Sequence, residues 1–217
     1  MAGLILDRSF FLKAMEDMKN LAEEQRNHFS KLDSAIGDGD HGANLTIGFR
    51  EVVAKLEGID SESPDISTLL KKIGMILLGK VGGSSGPLYG SFFIKAGDNV
   101  KGKSEVSFAE FCDMIITGVK AIETRGKASI GDKTMLDAFL PGIRVLSEVE
   151  QSDDEIELFE KFVDEMKAGA ESTIPLVAKK GRAMRLGERA VGHKDPGAES
   201  AWMLMDIFLK RLKEVSN

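Results

Sequence analysis

The sequence predicts an all-α protein whose helices run up and down alongside one another. Three observations support this prediction. Apolar residues recur mostly three and four positions apart, which is the period of a helix with one buried face. Runs that alternate between apolar and polar residues, typical of strands, are scarce. Connections such as GIDSESP and GDNVKGKS are short, so successive helices should lie antiparallel.

Glycine and proline punctuation divides the chain into eight predicted helical segments. They cover residues 7–28, 43–57, 65–80, 84–97, 105–125, 133–149, 154–178 and 196–213. The apolar stripe of the first segment consists of Phe10, Phe11, Met15, Met18 and Leu21. The stripe of the fifth segment consists of Phe108, Phe111, Cys112, Ile115, Ile116 and Val119. Each stripe predicts a helix that packs one face on a common core.

The segment boundaries follow glycine and proline signals. Glycine-rich stretches separate the first segment from the second and the third from the fourth. Pro141 and Pro175 interrupt the sixth and seventh segments, and each should kink its helix because proline removes a backbone donor. The eighth segment starts after Asp195 as N-cap, with Pro196 in the first helical position. Free backbone N–H groups at such a helix start suit an anion.

Length, charge and cysteine content narrow the class of protein. A chain of 217 residues, 42% hydrophobic and 29% charged, is expected to form one domain over residues 1–217. Its net charge of −6 offers no basic face, so we expect no nucleic-acid partner. No apolar run reaches the roughly 18 residues of a membrane span, and no leader segment is recognisable. The lone Cys112 fits a reducing compartment, and we expect a cytoplasmic protein without a membrane partner.

An acidic, glycine-rich loop stands out in LDSAIGDGDHGANL, residues 32–45. Its aspartates, Asp33, Asp38 and Asp40, repel one another unless a cation lies among them. A calcium loop is excluded, because the sixth and twelfth positions from Asp38 hold Ala43 and Phe49 instead of glycine and glutamate. One cysteine and three scattered histidines argue against zinc. A few carboxylates acting together with substrate phosphates match magnesium. In the alternative interpretation, the aspartates only cap the following helix in a solvated turn.

A second glycine-rich stretch, GKVGGSSGPLYG at residues 79–90, is a candidate phosphate cradle. Small residues lead into Pro87 at a helix start, so backbone N–H groups and the hydroxyls of Ser84 and Ser85 can approach an anion. No GxxxxGK[ST] motif is present, which excludes a P-loop. Two alternatives stay open: an ordinary turn, or the GxSxG nucleophile elbow of a hydrolase with Asp132 and His193 downstream. The elbow requires a preceding strand, whereas LLKKIGMILLGK carries lysines at helical spacing.

Four sequence blocks, taken together, resemble the nucleotide-binding, DhaL-type subunit of dihydroxyacetone kinase. They are LDSAIGDGDHGANL, GGSSGPLYGSFF, RGKASIGDKTMLDAFLPG and GRAMRLGERAVGHKDPGAES, in the order of that family and spread over almost the whole chain. The resemblance implies an eight-helix antiparallel barrel with the nucleotide at one end. It also implies two magnesium ions, Mg2+, that are held by Asp33, Asp38 and Asp40 and bridge the phosphates of ADP or ATP.

The resemblance further implies which residues bind the nucleotide. They are His41, Gly42, Asn44, Gly83, Ser84, Ser85, Gly126, Met135, Arg182, Asp195, Pro196 and Gly197. Among them, Ser84 and Ser85 are expected to hold phosphate, whereas Gly126 and Met135 are expected to border the adenine. Arg182 and the turn at residues 195–197 are expected to close over the bound nucleotide.

The function implied by the resemblance requires a partner. In the family a separate kinase subunit binds dihydroxyacetone covalently through a histidine, and this sequence shows no ketose pocket and no catalytic base. Lys133 and Thr134 lie in a matching block but receive no role. The donor is expected to be ADP kept as a fixed coenzyme and recharged by a phosphohistidine on a phosphotransferase subunit, or freely exchanging ATP. Two alternatives stay open: a partner for another ketose such as erythrulose, and a nucleotide-sensing module that docks on a transcription regulator.

Overall fold

The structure is a computed structural model that describes residues 3–57, 65–152 and 154–216 and is predominantly helical. The helices are α1 (Arg8–Glu24), α2 (Arg26–Ile36), α3 (His41–Leu56), α4 (Ile66–Lys80), α5 (Ser85–Ala96), α6 (Phe108–Gly126), α7 (Met135–Leu146), α8 (Glu155–Ser172) and α9 (Pro196–Ser216). Two short strands, β1 (Ile5–Asp7) and β2 (Glu105–Ser107), pair antiparallel. Short 3₁₀ helices cover Asp98–Val100, Val149–Gln151 and Ala183–Ala190.

The helices form a closed ring in which each packs against its neighbours in sequence. Both α1 and α2 contact α3 on one side and α9 on the other, so they form one interrupted member of a ring with eight positions. The α2–α3, α4–α5, α6–α7 and α8–α9 connections all line one cavity. These four are every second connection along the chain, and they can lie together at one end only if successive helices run in opposite directions. The predicted all-α, eight-helix antiparallel up-and-down arrangement is therefore confirmed.

The opposite end of the barrel is filled by aromatic rings and tied by backbone contacts. The ring centroids of Phe10 and Phe111 are 5.6 Å apart, and those of Phe111 and Phe208 are 5.2 Å apart. These side chains come from α1, α6 and α9, across the ring, so they fill its interior. The β1–β2 ladder joins the starts of α1 and α6, and the Leu4 amide donates to Glu155 Oε2 at the start of α8 over 2.7 Å. The cavity therefore lies at the other end.

The first and fifth predicted segments differ from the helices that the structure shows. The first predicted segment is two helices, because the chain turns at Gln25 and continues as α2 to Ile36. The buried face of α2 includes the charged Asp33, which breaks the apolar period that would have indicated a helix. Residues 105–107 form strand β2, and α6 begins only after a capping box of Ser107 and Glu110.

The two interrupting prolines have different outcomes. Pro141 lies inside α7, as predicted. The kink predicted at Pro175 is wrong, because α8 already ends at Ser172 and the chain leaves the helix before the proline.

The predicted connection GIDSESP, residues 58–64, lies outside the described residues. Among the helices of the described ranges, none combines the length and the apolar character that crossing a membrane requires.

Candidate functional site

An open cavity of about 390 Å³ occupies the end of the barrel where the four connections meet. Of the residues that the resemblance implies, those lining it are Asp33, Asp38, Asp40, His41, Asn44, Gly83, Ser84, Ser85, Gly126, Met135, Arg182, Asp195, Pro196 and Gly197. Gly42 is not among the lining residues. A Cβ at Gly42 would overlap the carbonyl oxygen of Arg26, so close packing of α3 on α2 accounts for that glycine.

The three aspartates come together at one side of the cavity. One carboxylate oxygen from each of Asp33, Asp38 and Asp40 lies within 4.8 Å of the others. Asp33 Oδ2 accepts a hydrogen bond from the His41 amide over 3.1 Å, and Asp38 is paired with the guanidinium of Arg182. Within the described ranges, no hydrogen bond or ion pair reaches the Asp40 carboxylate.

This arrangement fits a hard divalent cation better than a helix cap. Only Asp33 bonds the first turn of α3, whereas Asp40 stands at the N-cap position without a side-chain capping bond. Oxygen donors with spare lone pairs, close together and partly exposed, are what magnesium takes in proteins. The C-terminal end of α2 adds negative potential at the same place. The residues present therefore fit the predicted magnesium site.

Glycines make the acidic loop possible. Gly39 has a φ of +77°, in the left-handed region that few other residues adopt without strain. At Gly37 a Cβ would overlap the carboxylate of Asp33, so any other residue would push that carboxylate out of place. The loop thus brings Asp38 and Asp40 back towards Asp33 immediately after α2 ends.

The helix starts at this end of the barrel favour an anion in the cavity. α3, α5, α7 and α9 all begin at this end, so four helix N-termini with positive dipole ends surround the cavity. In the stretch before α5, Gly83 has a φ of +65°. Ser84 is the N-cap residue of α5, but its hydroxyl makes no capping hydrogen bond. At Gly82 a Cβ would lie 2.7 Å from Asn44 Oδ1, so the loop packs closely on α3. The predicted phosphate cradle is therefore a tight loop that ends in a helix N-terminus.

The same geometry excludes the hydrolase alternative. The GxSxG stretch around Ser84 is preceded by helix α4, whereas a nucleophile elbow is a turn from a strand into a helix. Asp132 accepts a hydrogen bond from the Ser129 amide over 2.9 Å and so stabilises its own connection. The serine of this stretch lacks the setting of a hydrolase nucleophile.

A buried hydrogen-bond chain ties three helices behind the phosphate cradle. His41 Nδ1 lies 3.2 Å from Ser85 Oγ, and its Nε2 lies 2.9 Å from Ser200 Oγ. Ser200 Oγ in turn lies 3.1 Å from the hydroxyl of Tyr89. Burial lowers the pKa of His41 to about 4, against the opposing effect of Asp33 and Asp40. His41 is thus neutral at pH 7 and joins α3, α5 and α9.

Replacing Ser200 by alanine is expected to destabilise the protein by about 2–3 kcal/mol, because His41 Nε2 and the Tyr89 hydroxyl would both lose a buried partner. Tyr89→Phe removes a single bond and should cost about 1 kcal/mol. Urea unfolding measures both. Ser216→Ala, at the exposed end of the same helix, is the matched control and should change stability by less than about 0.5 kcal/mol. Equal effects of Ser200→Ala and Ser216→Ala would contradict a shared buried chain.

Apolar residues also line the cavity and form what we call its apolar wall. Met135, the first residue of α7, and Gly126, the last of α6, lie in this wall together with Leu88 and Ile122. A Cβ at Gly126 would lie 3.4 Å from Leu88 Cδ2, so a side chain there would narrow the slot. A flat apolar slot beside an anion site suits a nucleotide base.

The start of α9 completes the cavity. Asp195 Oδ2 accepts from the Ala198 amide over 2.8 Å, which confirms the predicted N-cap. Burial raises the pKa of this carboxyl to about 7, although Lys133 opposes the shift. Lys133 also lines the cavity, and sequence reasoning gave it no role.

Comparison with known proteins agrees with this geometry. The DAK2 domain family matches residues 35–210. The chain is 61% identical, over 99% of its length and of the relative's, to "PEP-dependent dihydroxyacetone kinase 2, ADP-binding subunit DhaL" of Listeria innocua. It is 37% identical, over 96% of its length and 99% of the relative's, to the corresponding ADP-binding subunit DhaL of Escherichia coli. The chain therefore belongs to the DAK2 domain family, and the resemblance to the DhaL-type subunit is confirmed.

Solved structures show the same fold. A crystal structure of the dihydroxyacetone kinase from C. freundii in complex with AMP-PNP and Mg2+ superposes with a TM-score of 0.71 at 26% identity. The match covers 96% of this chain but only 35% of that one, so the chain spans about a third of that longer kinase. The relatives described above are named as kinases or kinase subunits, and the chain thus belongs to a group of phosphotransferases.

Proposed function

We propose that this chain, as one nucleotide-binding domain, is the ADP-binding subunit of a dihydroxyacetone kinase. In this proposal it passes a phosphoryl group from a magnesium-bound nucleotide to dihydroxyacetone held on a partner subunit. The observation that supports it best is the pairing within one cavity of three converging carboxylates with four helix N-termini. A cation site and an anion site side by side suit a metal–phosphate group and little else.

In the mechanism we infer, Asp33, Asp38 and Asp40 hold two magnesium ions. When bound, these ions neutralise the charge on the phosphates and on the phosphoryl group in transit. Backbone N–H groups at the start of α5, with the hydroxyls of Ser84 and Ser85, hold phosphate oxygens in place. Arg182, now paired with Asp38, lies where it can share its charge with the phosphates. The apolar wall around Met135 orients the base and excludes water from it.

We further infer that ADP stays bound as a coenzyme and is recharged by a phosphohistidine on a phosphotransferase subunit. Support comes from relatives that match this chain over nearly their full length, which are named PEP-dependent or PTS-dependent. The relative named L-erythrulose 1-kinase is longer, and the chain covers only 34% of it. Dihydroxyacetone is therefore the better-supported substrate of the partner.

Native mass spectrometry of the gently purified protein tests the nucleotide assignment. We expect a mass increase that matches one ADP and is lost on unfolding, because a cavity with both charge signs should retain the nucleotide. Incubation with the phosphohistidine donor should then add one phosphoryl group to the bound ADP, whereas added labelled ATP should exchange slowly. A protein that carries no nucleotide and shows no calorimetric binding of ADP with magnesium would contradict the proposal.

A further inference from the structure

The connection between α8 and α9 is long, and its middle part lines the cavity. We call residues 174–193 the rim segment. Its two ends meet at the base, where the Gly192 amide donates to the Ile174 carbonyl over 2.8 Å and the Asp195 amide donates to Thr173 Oγ1 over 3.0 Å. Near its middle, Arg182 reaches Asp38 across the cavity mouth. Arg182 therefore lies on a segment whose two ends are joined at its base, and the neighbouring Ala183 belongs to a small buried cluster with Ile36 of α2.

Lys133 reaches that base from another connection. Its side chain is only 1% exposed. Nζ donates to the carbonyl oxygens of Thr173 over 2.6 Å, Ile174 over 3.3 Å and His193 over 2.5 Å. The first two carbonyls lie where the rim segment leaves α8, and the third lies where it returns. One ammonium group thus joins both ends of the segment.

The ammonium group has no donor left for a nucleotide. A lysine carries three N–H donors, and all three are used by these carbonyls. Burial lowers the pKa of Lys133, and the nearby carboxyl groups of Asp195 and Asp137 oppose this by favouring the charged form. Lys133 lines the cavity without offering it a hydrogen bond, which is the behaviour of a positioning residue.

The backbone around Lys133 is held firmly enough to support this role. Its φ of +61° is unusual for a residue with a side chain and needs compensation. Asp137 supplies it by accepting from the Gly131 amide over 2.5 Å and from the Thr134 amide over 2.7 Å, on either side of the lysine. The backbone from which the Lys133 side chain starts is therefore tied to α7 through Asp137.

We propose that Lys133 is a positioning residue that clamps the base of the rim segment and so holds Arg182 over the cavity. The consequence for nucleotide binding rests on the proposed function. The clamp itself does not, and the two can be tested separately.

Limited trypsin digestion of the nucleotide-free protein tests the clamp. The rim segment contains five trypsin sites, most of them exposed, and trypsin should cut them faster when the segment opens more often; they are Lys179, Lys180, Arg182, Arg185 and Arg189. Lys133→Met keeps the apolar stem and removes the ammonium, and cleavage within the rim segment should become about tenfold faster. Lys127→Met is the matched control, because Lys127 lies in the same connection, also has a positive φ and is exposed. It should leave the cleavage rate within about twofold of the original.

The variant should fold, because two of the three carbonyls keep a backbone donor. The Leu176 amide donates to Thr173, and the Gly192 amide to Ile174. If circular dichroism nevertheless shows unfolding, Lys133→Arg, which keeps the charge but not the geometry, is judged by the same cleavage criterion. Cleavage of the lysine variant at the rate of the Lys127 control would overturn the clamp.

A double-mutant cycle separates positioning from general destabilisation. By calorimetry with ADP and magnesium, Lys133→Met should weaken binding about tenfold in the original chain but less than about twofold in an Arg182→Ala background. Additive effects would overturn the claim that Lys133 acts through Arg182. If the original chain binds no ADP at all, the proposed function fails, while the digestion experiment still decides the clamp.

Discussion

Replacing Asp40 by asparagine is expected to weaken binding of ADP with magnesium by about 100-fold or more and to leave the helical fold intact. Loss of an outer-shell partner of a metal already costs roughly 10–100-fold in affinity, so a direct ligand should cost at least as much. Asp40 is the cleanest of the three positions, since Asp33 bonds the His41 amide and Asp38 bonds Arg182. Its removal breaks no contact within the fold as described and relieves repulsion between carboxylates.

Calorimetry and thermal unfolding, each with and without magnesium and ADP, measure this effect. The ligand should raise the melting temperature of the original chain but not that of Asp40→Asn. Asp98→Asn is the matched control, because it makes the same change of charge in the α5–α6 connection at the far end of the barrel. It should bind like the original chain. Unchanged affinity of Asp40→Asn would refute the assignment of the acidic loop as the metal site.

The parts of the structure that could be predicted from sequence are those with local signals. The start of α9 was predicted because Asp195 and Pro196 are themselves the cap and the first helical residue. The converging aspartates were predicted because Asp38 and Asp40 follow Asp33 within a few residues, in a loop whose glycines permit the turn. In both cases, neighbours in sequence determine the geometry.

The parts that could not be predicted depend on distant partners. Ser200 contacts His41 and Tyr89, which lie 159 and 111 positions away. Lys133 contacts carbonyl oxygens 40, 41 and 60 positions away. A carbonyl oxygen leaves no trace in the sequence, because every residue has one. α2 was missed for a related reason, since its buried face carries the charged Asp33 in place of an apolar residue.

The fold itself supplies electrostatic features that suit the proposed binding of phosphates in the cavity. In an up-and-down ring, the helices that begin at one end alternate with those that end there. The cavity end therefore gathers the N-termini of α3, α5, α7 and α9, while the acidic loop follows the C-terminus of α2. The dipoles alone favour an anion beside the former and a cation beside the latter. The direction of the helices thus already places positive and negative dipole ends at the cavity, and side chains such as Asp40 and Ser84 add further polar groups there.

The isolated chain is expected to transfer no measurable phosphate to dihydroxyacetone until a dihydroxyacetone-binding subunit is added. In the proposed function the ketose is held by the partner subunit, so the cavity itself need not supply a base for the ketose hydroxyl. Both ring nitrogens of His41 are engaged, and its low pKa keeps it a weak base. The Asp195 carboxylate caps α9. Free dihydroxyacetone would also have to reach the correct orientation towards the phosphoryl group by random collision. A ketose held in that orientation reacts as if its concentration were on the order of 10⁵ M.

Formation of dihydroxyacetone phosphate, followed by phosphorus NMR, measures this dependence. With donor and partner subunit present, we expect turnover that exceeds the rate of the single chain by about a thousandfold or more. Asp98→Asn should support full turnover in the reconstituted system, and Asp40→Asn should support none. In the proposed function the carboxylates act on the nucleotide and the partner acts on the ketose, so each should be indispensable even when the other is intact. Rapid transfer by the chain alone would mean that a ketose site exists within this barrel.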